Sequence, residues 1–406
     1  MTTISSCSNR LISMLFFALT INPVLAFAGT PISTGERNLP TFYNWSGKTP
    51  EQAGQLLRVE PLDSAQSLSN ADQNIRILYS STDGIDNHSP ITVSGALFLP
   101  KGTPPKGGWP LLAWAHGTVG IANICAPSFA GRSKRDISYL NYWLKQGYAI
   151  VSTDYQGLGT PGLHPYSDYR ATAYSLLDSI RAVQQGNFHL SKKTILIGQS
   201  QGGGATFAAT LYAKSYSPDL DIVGAVTTGT SVPDAIKKMV KRDDTVRHTL
   251  AYFLLAVNTV PLVKPSLSPE DYLSDKAIPA FRLSQTHCLR DIEKQIFSDN
   301  LTGANSFKKD PAPLIQAILS VRYYPAIKTD IPIFWGTGGQ DVDSPKAGQI
   351  KLVTAACKRG SHIEWHLYPD LSHSATMKGS LPDSTIFVKR AFSGEHIDGN
   401  CATGTE

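Results

Sequence analysis

The residues with the clearest chemical content are Gly198-Gln199-Ser200-Gln201-Gly202. The β-branched run Thr194-Ile195-Leu196-Ile197 leads straight into them, and Gly202-Gly203-Gly204-Ala205 opens a helical stretch directly after. A serine on so sharp a strand-to-helix turn crowds its neighbours, which calls for glycine on both flanks. The turn lifts the hydroxyl clear of a sheet and aims the helix's first free N–H groups at the reacting centre. A phosphate-binding turn would need the lysine of a P-loop or a G-x-G-x-x-G, and this turn has neither. The chemistry indicated is nucleophilic attack by Ser200.

A serine hydroxyl is a poor nucleophile until a base takes its proton, and the base needs an orienting acid. In this kind of fold the acid follows a late strand and the histidine follows the last one. Ile331–Trp335 ends in Gly336-Thr337-Gly338-Gly339-Gln340-Asp341, which sets a carboxylate at a strand's carboxyl end; Asp343 is the rival, and Asp341 is favoured. Trp365–Tyr368 is followed by Pro369-Asp370-Leu371-Ser372-His373. Of ten histidines, His373 alone lies just past the last expected strand, in a small polar loop. His362 and His366 flank or occupy that strand and read as structural; their i, i+4 spacing would suggest a metal only on a helix. For a developing oxyanion, the backbone N–H of Gln201 is one donor. The second falls in His116-Gly117-Thr118-Val119, at Thr118 or Val119, with His116 bracing the loop. No metal-ligand spacing or cofactor motif appears, so no cofactor is expected.

These residues need a frame. Ile75–Ser81 and Ile91–Pro100 look like an opening hairpin pair around Asp83-Gly84-Ile85-Asp86-Asn87. Leu111–Ala115 is a nearly continuous apolar run, as expected of a strand covered on both faces. Ala149–Ser152, Thr194–Ile197, Ile222–Val226, Ile331–Trp335 and Ile363–Tyr368 follow, with helical spacing over Ala171–Gln185, from Gln201, and over Pro345–Lys358. This alternation predicts an α/β fold with a mostly parallel central sheet and helices on both faces. It breaks between about Pro233 and Thr329, where apolar helical stretches (Leu250–Val257, Leu314–Val321) and proline-rich connectors stand instead. The expected organisation is residues 1–28 as a leader, 29–232 and 330–406 as the two parts of the core, and 233–329 as a helical insertion over the end of the sheet.

Arg10, the uncharged apolar stretch Leu11–Ala26 and the ending Ala26-Phe27-Ala28 describe a secretory signal peptide, cleaved after Ala28 or nearby after Ala26. Pro23 and the shortness of the segment argue against a span of about 20 residues. The product would be exported, secreted or periplasmic, without stable membrane insertion though free to touch a lipid interface. Cys7 leaves with the leader. Cys125, Cys288, Cys357 and Cys401 remain, an even number that favours two disulfides in an oxidising compartment, and four cysteines permit three pairings. Elsewhere the composition excludes function classes. Apolar residues make up 41% and charged residues 17%, against disorder, and 33 Gly with 26 Pro lack any collagen-like period. A net charge of +5 over 406 residues is too dilute for nucleic acid. Its densest basic cluster, Lys237-Lys238 to Lys241-Arg242, is interrupted by apolar residues and followed by Asp243-Asp244.

Several segments together resemble one family. Ala115-His116-Gly117-Thr118, Cys125-Ala126-Pro127-Ser128, Asp154-Tyr155-Gln156-Gly157-Leu158-Gly159, His164-Pro165-Tyr166 and Gly198–Gly203 are similar to the secretory lipase family, the fungal lipase-A-like branch of the α/β-hydrolase fold. The resemblance runs from roughly Ile75 to His373. It implies Ser200, Asp341 and His373 as a catalytic triad, a helical cap carrying an acyl-binding channel, and the disulfides Cys125–Cys288 and Cys357–Cys401. One position departs: Gln199 stands where histidine or tyrosine is common. The expected activity is hydrolysis of lipid or other hydrophobic carboxylic esters through an acyl-enzyme. Acyl transfer, or amide and peptide cleavage, would use the same triad, and a degenerate hydrolase serving as a binding protein would lack turnover.

Overall fold

The computed structural model describes residues 1–2 and 39–401. The expected leader and its cleavage point lie outside the described residues, apart from its first two. Among the described residues nine strands form one sheet: β1 (Leu56–Pro61), β2 (Ala71–Thr82), β3 (Pro90–Pro100), β4 (Trp109–Ala115), β5 (Ala149–Thr153), β6 (Leu190–Gln199), β7 (Asp221–Thr228), β8 (Ile333–Gln340) and β9 (Ile363–Ser372). Their order is β1-β2-β3-β5-β4-β6-β7-β8-β9. β1, β2 and β3 pair antiparallel, as does β3 with β5; from β5 to β9 every pairing is parallel. The hairpin pair, the parallel region and both faces of helices are as the sequence predicts; β1 is an additional edge strand.

Among the described residues thirteen α-helices accompany the sheet: α1 (Pro127–Ala130), α2 (Lys134–Lys145), α3 (Tyr169–Gln185), α4 (Gln201–Tyr216), α5 (Ala235–Met239), α6 (Thr249–Ala256), α7 (Val260–Val263), α8 (Ile278–Ser284), α9 (Leu289–Ser298), α10 (Ala312–Leu319), α11 (Lys346–Lys358), α12 (His373–Gly379) and α13 (Leu381–Ser393). Successive residues of a strand face opposite sides, and β4 shows what that does here. Leu111, Ala113 and Ala115 pack with Leu176 of α3, Phe207 of α4 and Val353 of α11. Leu112 and Trp114 pack on the other face with Leu140 of α2 and Phe387 of α13. A strand buried on both sides has no polar face to spare, hence its continuous apolar run.

β5 and β6 flank β4 on opposite sides, so the chain winds away from β4 in both directions. At such a switch point the loops leaving the carboxyl ends part and leave a crevice. Into it run the loop after β4, the turn from β6 into α4, and the segment after β7. Between β7 and β8 the chain is helical, α5 to α10, with short antiparallel bridges at Val246–Thr302 and Leu273–Phe307. Leu250, Phe253, Leu254 and Leu255 of α6 are fully buried there or nearly so, each contributing about 1.5–3 kcal/mol by leaving water.

Two boundaries differ from expectation. β8 extends through Gln340 and β9 through Ser372, so the glycine-rich stretch and Pro369–Ser372 are strand rather than loop, and His373 is the first residue of α12. The glycines are the reason: a Cβ at Gly339 would lie 2.2 Å from Pro369 O. Only residues without side chains let the two backbones approach closely enough to keep pairing past the bulge between Gly338 and Gln340.

Candidate active site

Ser200 ends the strand-to-helix turn at φ 62°, ψ −121°, a conformation a non-glycine residue holds only under constraint. The constraint is visible. Ser200 N–H donates to Thr228 O at 3.1 Å, while Ser200 O accepts from Gly204 N and from Ser231 N at 3.0 and 3.2 Å. A Cβ at Gly202 would sit 1.9 Å from Ala115 O, and one at Gly198 2.2 Å from Gly202 O. The helix thus lies against the strands at a distance only glycine permits. Ser200 precedes α4 without its side chain capping the helix, so the hydroxyl is not consumed structurally.

His373 Nδ1–H donates to Asp341 Oδ2 at 2.8 Å. Asp341 is held from every side: Oδ1 accepts from the N–H groups of Asp343 (3.0 Å) and Ser344 (2.8 Å), and Oδ2 also from Gln349 Nε2 (3.1 Å). Its carboxylate is fully buried. Asp343 faces elsewhere, paired with His248 Nε2 at 2.5 Å. Burial raises the Asp343 carboxyl, but the His248 hydrogen bond, with the charges of His373 and His248, outweighs it and holds the group below the usual range. The same hydrogen bond raises His248 against its own desolvation.

Among the described residues no hydrogen bond joins the Ser200 hydroxyl to His373. His373 is tied to the segments on either side of Ser200: Gln199 Nε2 donates to His373 O at 3.3 Å, and a Cβ at Gly229, which follows β7, would lie 2.8 Å from His373 Nδ1. Such contacts are commonly long before substrate arrives. Gln199, the departure noted in the sequence, is therefore buried and braces the histidine's backbone.

Of the two alternatives for the second oxyanion donor, Thr118 borders the crevice with Ser200 and Gln201. Val119 is turned toward α9, its carbonyl accepting from Leu289 N at 2.9 Å. Thr118 Oγ1 lies 2.9 Å from Tyr166 Oη. Gln201 is anchored by its side chain, Nε2 donating to His164 Nε2 at 2.9 Å, while His164 Nδ1–H donates to Gln156 O at 2.8 Å. Those two bonds define one neutral tautomer, and burial lowers the His164 pKa to about 4. His116 is buried against Gly117 O (2.7 Å) and Asp154 O (3.2 Å), the bracing contact expected of it. His366 stacks on Phe334 and bonds Glu364, away from the crevice.

Sequence reasoning missed Tyr252, Arg322 and Ser231, which also border the crevice, and the pairing of His248 with Asp343, which the sequence offers only as a rival acid. They come from separate helices and loops and carry no local motif. The space beside Ser200 is about 20 Å³, room for one water. Both disulfides implied by the resemblance are present: Cys125–Cys288, with Cα atoms 5.5 Å apart, and Cys357–Cys401, at 5.4 Å. The first, with a backbone bridge from Gly120 to Cys288, fastens the loop after β4 to the start of α9. Among the described residues no helix is long and apolar enough to cross a membrane.

Comparison with known proteins bears on the fold and the family. Lipase A of Moesziomyces aphidis is 27% identical over 284 residues, covering 65% of this chain and 58% of that protein. Secreted triacylglycerol lipase LIP5 of Malassezia globosa is 24% identical over 362 residues, covering 82% and 73%. The chain spans 58–65% of the length of the first three curated relatives. Among solved structures, Candida antarctica lipase A superposes with a TM-score of 0.69 at 22% identity, over 87% of this chain and 85% of that one. The rice cell wall degrading esterase LipA from Xanthomonas oryzae does so at 0.67 and 19% identity, over 85% and 100%. The fold is thus that of the α/β-hydrolases. The Secretory lipase family model matches residues 132–399, more than half of the chain, and the protein belongs to that family.

Proposed function

We propose that the protein hydrolyses carboxylic esters through an acyl-enzyme on Ser200. His373 Nε2 takes the hydroxyl proton as the oxygen attacks the ester carbonyl; the proton then passes to the departing alcohol, and water repeats the sequence in reverse to release the acid. Asp341 holds the imidazole in the tautomer whose Nε2 is free to accept. The oxyanion is received by the N–H of Gln201 and by Thr118. The observation that carries this reading is the 2.8 Å bond from His373 Nδ1 to the buried Asp341, beside a serine held at positive φ with its hydroxyl uncommitted. The names of the relatives support esters as the substrate class.

In this reading residues 233–329 form a cap. Ala235 and Met239 of α5 and Tyr252 of α6 border the crevice, and a space of one water admits an acyl chain only once those helices shift. The apolar cover expected for that chain is sparse beside Ser200: polar side chains outnumber Ala235 and Met239 there. Two disulfides, the leader read from the sequence and the family together support export.

The test is fluorophosphonate labelling and hydrolysis of p-nitrophenyl butyrate. Wild type is expected to label and turn over, and Ser200→Ala to do neither. Labelling that survives in Ser200→Ala places the nucleophile elsewhere, and a wild type that cleaves peptides but no ester replaces the reading with amide chemistry.

A further inference from the structure

Arg322, just past the end of α10, borders the crevice with Ser200 and is only 4% exposed. Its donors all end on neutral oxygens. Nε reaches Pro233 O (3.3 Å), Nη1 reaches Ser167 Oγ (2.8 Å), and Nη2 reaches Ser231 Oγ (2.6 Å) and Val232 O (3.2 Å). A guanidinium has five N–H groups, so one Nη1 hydrogen is unspent. The ring of Tyr169 lies under the fork, 5.4 Å from its centre.

Four bonds account for the fork's position; they do not offset its charge. Burying a cation is costly unless an anion accompanies it, and here the nearby carboxylate is already engaged. Asp343, also at the crevice, is paired with His248. Arg322 is moreover one residue removed from the nucleophile: Ser231 takes its Nη2 hydrogen on Oγ and gives its own N–H to Ser200 O. Among the described residues no carboxylate pairs with Arg322, so the crevice holds a positive charge, out of water and without a counter-ion, beside Ser200.

We propose that Arg322 determines specificity and that the crevice takes esters bearing a carboxylate a short chain away from the scissile carbonyl. The substrate's anion supplies the missing counter-charge and accepts the free Nη1 hydrogen. This deepens the ester-hydrolase reading and rests on it.

Two matched pairs of substrates test it. p-Nitrophenyl hexanoate and mono-p-nitrophenyl adipate differ by a terminal methyl against a carboxylate on the acyl side. Phenyl acetate and 4-acetoxybenzoate differ by a carboxylate on the alcohol side. The readout is the ratio of kcat/KM for the anionic member to that for the neutral member, in wild type, Arg322→Gln and Arg322→Lys. In one pair the wild-type ratio is expected to exceed that of Arg322→Gln tenfold or more, the scale of a charge-assisted hydrogen bond. Arg322→Lys, which keeps the charge and loses the fork, should fall between. A merely structural role would lower both members together, so ratios that agree within twofold across the three proteins in both pairs overturn the proposal. If Arg322→Gln does not fold, as judged by its melting curve, wild type against Arg322→Lys decides by the same ratio. A wild type that hydrolyses none of the four esters defeats the ester-hydrolase reading itself, and this proposal with it.

Discussion

Asp341 and Asp343 stand two residues apart and carry the same functional group, but they face different histidines. Asp341 spends its four lone-pair directions on His373, Gln349 and two backbone N–H groups, which leaves it no freedom to rotate away. Asp343 is turned to His248. Asp341→Asn is expected to lower kcat by about 10⁴, the scale seen when an amide imposes the wrong tautomer on such a histidine. Asp343→Asn should lower it less than tenfold, because it disturbs a wall of the crevice and not the proton's path. Steady-state kinetics on one p-nitrophenyl ester separates the two, and equal losses would contradict the assignment. Gln199 belongs to the same scale: replacing the usual aromatic or imidazole ring, its amide still braces His373 through the backbone oxygen.

At the scale of elements, the crevice depends on how loops are tied to the turn that carries Ser200. The loop after β5 reaches α4 through His164, whose Nε2 must stay unprotonated to accept from Gln201. Unfolded, this imidazole titrates near 6.5; folded, burial brings it to about 4. Between those values the unfolded chain binds a proton that the folded one refuses, so stability falls as the pH drops from 6.5 to 4. The full loss is roughly 3 kcal/mol for this one group. Denaturant unfolding at pH 7 and pH 4.5 is expected to show a smaller difference in His164→Asn than in wild type. An unchanged difference would mean that other groups carry the acid limb. The edge pairing of β8 with β9 is a second such tie. Its glycines extend both strands and deliver His373 as the first residue of a helix, where the sequence predicts a loop.

Over the whole molecule, the helices between β7 and β8 are joined to the sheet by chemistry as well as by packing. Cys125–Cys288 closes a loop of 163 residues and bears on the segment that presents Thr118, whereas Cys357–Cys401 closes 44 residues between α11 and the chain's end. Cross-links of such spans typically contribute about 2–4 kcal/mol. Replacing either pair by serines is therefore expected to lower the denaturant midpoint. Only loss of Cys125–Cys288 should also lower kcat, because it frees the loop bearing Thr118, the proposed oxyanion donor. Equal kcat in both double variants would show that backbone bonds such as Leu289 N to Val119 O suffice to hold the loop.

What the sequence by itself determined was local. The strand, turn and helix around Ser200 are written in adjacent residues, since their backbone demands are met by the glycines and β-branched residues beside them. The alternation of strand and helix follows from periodicities of two and 3.6 read over short windows. The order of acid and histidine follows because parallel strands bring their carboxyl ends to one edge. Tertiary structure alone turned Asp341 to His373 and Asp343 to His248, and set Thr118 rather than Val119 at the crevice beside Ser200. It alone brought Arg322 from the end of α10 to the crevice of a serine far away along the chain, and His248 from the start of α6 to Asp343. Those choices depend on which way a side chain turns once distant segments pack, and on charges whose partners are named only by the fold.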